Sequence, residues 1–282
     1  MNSILVTGST GFIGTHLLKT LNKRNDSVYA ASRNDGDISL TQTWNSFPDC
    51  NIVIHLAGKS FVPDSWTDVY GYSQTNLLST IAALEYCKNK NARLIFLSSY
   101  LYGNPFSLPI SENAPLIIQN PYALTKKWAE ESCEFYSNNY NIPVTIIRPF
   151  NVYGPGQSSS FLLPQIINQI KSKNEIKLKD LTPKRDYIYI TDLINAIIKA
   201  IDTNLGFEIF NIGSGVSYSV EEIVSIIQKI FGLNLPVLSE DTIRKGEIMN
   251  TIAEISKANQ ILNWAPIYSI YDGLKETIGP LN

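Results

Sequence analysis

"TGSTGFIG", residues Thr7 to Gly14, follows the apolar run "SILV" and leads into a helix-like segment carrying Leu17, Leu18 and Leu21. The order strand, glycine turn, helix governs the reading of everything after it. Gly8, Gly11 and Gly14 let the chain turn sharply, bring backbone N–H groups close to an anion and pack helix on strand. The helix start, at Phe12 and Ile13, adds the positive end of its dipole. Loops are rich in glycine, so such a triplet can be a structural turn. At the first strand-to-helix junction it points instead to the pyrophosphate of a dinucleotide.

The following residues repeat that alternation. "SVYAAS", "NIVIHLAG", "RLIFLSS" and "PVTIIRP" are near-continuous apolar runs, as for strands buried on both faces. Helix-like segments lie between them near 12–24, 73–90 and 121–140. This order predicts an α/β fold with a doubly wound, Rossmann-like parallel sheet. After Gly154 the loop "YGPGQSSS" opens a region of shorter, less regular elements. The expected division is a dinucleotide-binding domain over 1–156, rejoined by 187–212. A smaller C-terminal substrate-binding lobe takes 157–186 and 213–282.

The chain's 282 residues, 44% hydrophobic and 17% charged, suit a soluble globular protein. A net charge of −2 argues against a nucleic-acid partner. No apolar run approaches the ~18 residues of a membrane helix, and the N-terminus enters a strand at once, so a cytoplasmic protein is expected. Cys50, Cys87 and Cys133 form neither a disulfide framework nor a zinc spacing, and with His16 and His55 the only histidines no metal is expected. His55 sits inside an apolar strand and reads as a packed core residue.

"NPYALTKKWAEE", from Asn120 to Glu131, reads as the first turns of a helix with Pro121 just inside its start. Tyr122 and Lys126, four apart, share one face. Alone, the pair reads as a phenol lying over an aliphatic lysine stem. Its company changes that. "TGSTGFIG", "HLAG" (55–58), "SSYLYG" (98–103), "YALTK" and "RPFNVYGPGQ" (148–157) appear in order. "RDYIYITD" (185–192), "FNIGSG" (210–215), "RKGEI" (244–248) and "ISKANQILNWAP" (255–266) follow. Together they resemble, over the full length, the extended short-chain dehydrogenase/reductase family, in its epimerase/dehydratase group acting on nucleotide sugars.

The resemblance implies roles. Tyr122 exchanges a proton with a sugar oxygen, Ser98 hydrogen-bonds that oxygen, and Lys126 lowers the phenol's pKa and holds the nicotinamide ribose. Leu56, Ala57, Gly58, Asn76 and Pro149 lie along the cofactor, with Asp37 and Ile38 at its adenine. Ser99 and Tyr100 face the sugar. Asn151, Arg185 and Arg244 meet the substrate diphosphate, and Glu247 its ribose. Relatives that remove water across C5 and C6 carry Asp and Glu after the Ser/Thr; Ser99 and Tyr100 stand there instead. Relatives using NAD end the second strand with an acid; Ser32 and Arg33 occupy that point. A hydroxyl and a guanidinium can bind a 2′-phosphate that a carboxylate repels, so NADP is expected over NAD, unless Asp35 or Asp37 supplies the acid.

The resulting expectation is an NADPH-dependent reductase of a nucleotide-linked 4-keto-6-deoxy sugar. The alternatives are a 4-epimerase with tightly held NAD and a non-catalytic dinucleotide sensor or RNA binder. Helices near 77–90 and 121–140 are expected to pair across a two-fold axis into a four-helix bundle, making a homodimer.

Overall fold

The computed structural model describes residues 1–172, 174–242 and 247–280. The five apolar runs form strands β1 (Ser3–Thr7), β2 (Ser27–Ala30), β3 (Ile52–His55), β4 (Arg93–Leu97) and β5 (Val144–Pro149). Beyond them lie β6 (Asn151–Tyr153), β7 (Ile176–Leu178), β8 (Lys184–Tyr189), β9 (Phe207–Ile212), β10 (Ser217–Ser219) and β11 (Val237–Ser239). The main sheet has the order β2-β1-β3-β4-β5-β9, every pair parallel. All residues of β3 and β5 are buried, whereas β2, the outer strand, is only partly covered. The expected doubly wound sheet is present.

From β1 the chain passes to β2 on one side, then crosses to β3 on the other. The crevice between the carboxyl ends of β1 and β3 is the switch point where ligands bind such sheets. Side chains alternate across the pleat, so each strand feeds two cores. Ile4, Val6, Ile52 and Ile54 pack with Leu17, Leu21 and the helix Ile190–Asp202. Leu5, Val53, Leu94 and Phe96 pack on the other side with Ala83, Cys87, Ala129 and Cys133. Cys50, Cys87 and Cys133 are all buried with free thiols, so they act as packing groups.

The smaller region has a three-stranded sheet, β10-β8-β6, and a two-stranded one, β11-β7. Its amphipathic helices Leu162–Ser172, Val220–Phe231 and Ile270–Ile278 join the first core. Asp186, fully buried in β8, accepts from Ser214 N at 2.6 Å, Gly215 N at 2.9 Å and Ala253 N at 3.0 Å. One carboxylate thus ties the turn after β9 to the C-terminal segment. No helix among the described residues is long and apolar enough to cross a membrane.

Candidate active site

Gly8 adopts φ +67, and a Cβ there would lie 2.7 Å from the Ala57 backbone nitrogen. A side chain on Gly14 would run into the Gly8 carbonyl. The helix Phe12–Leu21 starts at Gly11 without a side-chain cap, so the first N–H groups at Phe12, Ile13 and Gly14 keep their donors for a ligand. The helix ends at Leu21, three residues short of the sequence reading, because Asn22, Lys23 and Arg24 close it with turn bonds.

At the end of β2 the structure brings Asp35, one of the two acids the sequence left open, back onto Ser32. Ser32 and Asp35 form a capping box around the turn Arg33–Asp35. Asp35 accepts from Ser32 N at 2.8 Å, from Ser32 Oγ at 3.0 Å and from Tyr29 OH at 2.9 Å. Those donors, the Ser32 N–H first, hold its carboxyl below the usual range. Arg33 beside it is exposed. Asp37 is occupied locally, accepting from Ser39 N at 2.9 Å, and the Ile38 carbonyl takes the Trp44 indole N–H at 2.8 Å.

Leu56, Ala57 and Gly58 leave β3 opposite the glycine turn. The segment Ser73–Leu78 is π-helical, and this wide turn carries Asn76, fully buried, into the site. Asn76 Oδ1 accepts Lys59 N at 2.8 Å, while Nδ2 donates to Thr125 Oγ1 at 3.1 Å. Thr125, absent from the sequence reading, also donates to the Tyr122 carbonyl at 2.9 Å. His55 is a core residue, as expected. Ser79 Oγ donates to the Thr75 carbonyl, so it accepts from His55 Nε2–H at 3.0 Å, and His55 Nδ1 accepts from Thr7 Oγ1 at 2.8 Å. Burial pushes its pKa down to about 3, so it stays neutral.

Asn120 caps the helix Pro121–Tyr140, accepting from Ala123 N at 2.8 Å. The helix therefore begins one residue before Tyr122. Tyr122 and Lys126 lie on its buried face, along with Ala129, Glu130 and Cys133. Burial pushes the Tyr122 phenol up to about 12, against a hydrogen bond from Ser99. Burial pulls Lys126 down to about 8, opposed by Glu130 one turn on. Its ammonium donates to the Leu97 carbonyl at 2.8 Å and lies 4.6 Å from the Phe96 ring centre. Ser98 follows β4, 4% exposed, and its Oγ has no partner among the described residues. Leaving a buried hydroxyl unpaired costs about 1–3 kcal/mol.

Pro149 is buried at the end of β5, and Asn151 opens β6. Asn151 Nδ2 donates to the Asp186 carbonyl at 3.1 Å, so its Oδ1 receives the Tyr100 hydroxyl at 3.2 Å. Tyr100 stacks on Phe150 at 5.1 Å. Arg185 pairs with Glu247. Arg244 lies outside the described residues. Sequence reasoning also missed Arg148 and Glu130, a buried ion pair beneath Lys126 with contacts of 2.6 and 3.0 Å. The sequence signal was a Glu four residues after Lys126 and an Arg opening "RPFNVYGPGQ".

The family profile described as NAD dependent epimerase/dehydratase matches residues 4–213. The chain belongs to that family. A curated member, UDP-glucuronate 4-epimerase of Thermodesulfobacterium geofontis, is 30% identical over 314 residues, covering 99% of this chain and 95% of its own. GDP-6-deoxy-D-mannose reductase of Pseudomonas aeruginosa is 28% identical over 289 residues, covering 96% and 94%. The structure of RMD from Pseudomonas aeruginosa complexed with NADPH superimposes with a TM-score of 0.90 at 26% identity, covering 99% and 97%. Family membership makes the protein a dinucleotide-dependent enzyme. The residues fit that cofactor. The glycine cradle admits no side chain at Gly8 or Gly14, and the helix start is uncapped. A Cβ on Gly58 would fill space 3.5 Å from Lys126 Nζ and 3.0 Å from Asn76 Oδ1.

Lys126 gives this family member a testable alkaline limit. Its folded pKa, about 8, lies below the ~10.4 of an unfolded lysine. Below about 8 the buried charge costs stability, and that cost fades as pH rises toward ~10.4. The ammonium is lost over the same window. Dinucleotide affinity is expected to weaken as pH rises through about 8, and Lys126→Arg to remove that limb up to ~pH 9.5. Fluorescence titration across pH checks both.

Proposed function

We propose that the protein is an NADPH-dependent reductase of a nucleotide-linked 4-keto-6-deoxy sugar. The observation that supports this reading is the exposed Arg33 at the end of β2, a cation that can take a 2′-phosphate. The Tyr122 phenol, on the buried face of its helix, is the proton donor in this reading. Tyr122 gives its proton to O4, and Ser98 Oγ donates to the same oxygen. The bound reduced cofactor's share of the chemistry is a hydride at C4. Lys126 orients the nicotinamide ribose and keeps positive charge beside the phenol as its proton leaves. Asn151, Arg185, Arg244 and Glu247 bind the nucleotide portion. Ser99 and Tyr100 are not carboxylates, which speaks against elimination of water.

One observation favours the second reading, a 4-epimerase with retained NAD. The Asp35 carboxylate folded onto Ser32 suits a ribose diol and opposes a 2′-phosphate. Arg33 pulls the other way. In the proposed reductase NADPH binds tighter than NADH, Arg33→Ala weakens that preference, and Ser32→Asp reverses it. Asp35→Asn should raise NADPH affinity about tenfold by removing the nearby anion, and the preference should shrink with salt. Calorimetric titration of both cofactors at low and high salt tests this. Protein that retains stoichiometric NAD and ignores NADPH sinks the reductase reading.

A homodimer also belongs to this proposal. Trp128 and Phe135, seven apart on the helix Pro121–Tyr140, are 40% and 55% exposed, and Leu78 on the neighbouring segment is 43% exposed. These apolar groups share the solvent side of the two helices expected to pair. Sedimentation should give twice the chain mass, and Trp128→Glu should halve it.

A further inference from the structure

The Arg185–Glu247 pair is built into the structure from several directions. Both side chains are nearly dry, 15% and 16% exposed. Arg185 also donates to the Lys184 carbonyl at 2.9 Å and to the Ile248 carbonyl. The backbone bearing Glu247 is clamped on both sides. Asn104 Nδ2 donates to the Glu247 carbonyl at 3.4 Å, and Asn104 Oδ1 accepts Met249 N at 3.3 Å. On the other side, Lys184 N donates to the Met249 carbonyl at 2.8 Å. A carboxylate pinned by its backbone against a guanidinium does not move away as a surface partner would. Any anion approaching Arg185 must displace that carboxylate or lie beside it, and in so dry a place either is costly.

We propose that Glu247 screens Arg185 from bare phosphates and yields it to a nucleoside diphosphate, whose ribose hydroxyls engage the carboxylate. This rests on the reading of the site as a nucleotide-sugar site. An ionised carboxylate only accepts hydrogen bonds. Inorganic phosphate and pyrophosphate bring charge to Arg185 but leave Glu247 facing an anion. A ribonucleotide brings the same charge and two hydroxyl donors, placed one pentose away from the phosphates. Those donors give Glu247 new partners as the guanidinium turns to the diphosphate. Glu247 is in this view a selectivity residue. It lowers affinity for the charged fragment and restores it for the complete nucleotide, which keeps cellular phosphates from occupying the site.

The test is calorimetric titration of the full chain and of Glu247→Gln. The probes are pyrophosphate, UDP, GDP, and the 2′,3′-dideoxy form of whichever nucleotide binds tighter. Wild type should bind the ribonucleotide at least about tenfold tighter than either pyrophosphate or the dideoxy form. Glu247→Gln, which removes the charge and keeps the shape, should bind pyrophosphate and the dideoxy nucleotide about tenfold tighter than wild type. The ribonucleotide should gain less, so the selectivity collapses. In an Arg185→Gln background the same substitution should change pyrophosphate affinity little, since there is no guanidinium left to unmask. Glu247→Gln that binds pyrophosphate no tighter, or keeps the wild-type selectivity, overturns the proposal. Wild type that binds neither UDP nor GDP overturns the nucleotide-sugar reading instead. The pyrophosphate comparison then still reads the screening, so the two failures are told apart.

Discussion

Tyr122→Phe is expected to lower turnover by about 10²- to 10⁴-fold while dinucleotide affinity stays within about twofold. The substitution removes one oxygen from a ring whose packing stays in place. That ring meets Tyr72 edge-on at 6.5 Å, a contact phenylalanine preserves. Asn120 caps the helix and Thr125 takes the Tyr122 carbonyl, and neither bond uses the phenol. The cofactor cradle at Gly8, Gly14 and Gly58 is backbone and is equally untouched. What disappears is the phenol oxygen proposed to give up the proton. Steady-state rates paired with calorimetric cofactor binding check the two halves separately. Near-normal turnover would remove Tyr122 from the chemistry, and lost cofactor binding would mean the substitution disturbed the fold.

Arg148→Met is expected to cost about 3–5 kcal/mol of stability, the largest structural effect of any single change considered. Arg148 and Glu130 are 3% and 5% exposed. Arg148 holds Glu130 through two nitrogens, Tyr102 OH at 2.9 Å and the Glu112 carbonyl at 3.2 Å. Tyr102 OH passes on to Asn211 Oδ1 at 2.6 Å, joining the loop after β4 to β5, β9 and the Tyr122 helix in one network. Removing only the guanidinium leaves a buried carboxylate stripped of its hydrogen-bonded partner, with only Lys126 one turn away to offset its charge. Arg148→Met with Glu130→Leu should recover most of the loss, because both charges then leave the core together. Thermal unfolding should show a drop on the order of 10 °C for the single variant and a much smaller one for the pair.

How far the sequence could be read depended on where each interaction lies along the chain. The strands were legible because parallel strands covered on both faces must be continuous apolar runs, as "IVIH" and "VTIIRP" are. The glycine turn was legible because a left-handed residue packed on backbone leaves no alternative to glycine at Gly8. The π-helical turn at Ser73–Leu78 was not. Leu77 and Leu78 extend the helical pattern without a break, and only packing against Lys59 and Thr125 shows the wider turn at Asn76. Asp35 was visible as the last residue of "SRND", three after Ser32. Deciding that it folds back required the hydrogen bonds of Ser32 and Tyr29. Glu130 and Arg148 stand eighteen positions apart on different elements; each is marked by its own motif, but only the sheet brings the two together.

In the proposed reductase Tyr122 and Ser98 serve hydride transfer at C4 of a nucleotide-linked sugar, and the reduced cofactor is consumed. The most direct measurement follows deuterium from NADPH labelled at C4 of the nicotinamide, in the presence of a nucleotide-linked 4-keto-6-deoxyhexose. One NADPH should be oxidised per sugar reduced and the deuterium found at C4 of the product, with both lost in Tyr122→Phe. Interconversion of 4-epimeric nucleotide sugars on retained NAD, with no NADPH consumed and no deuterium in the sugar, would contradict the reductase reading.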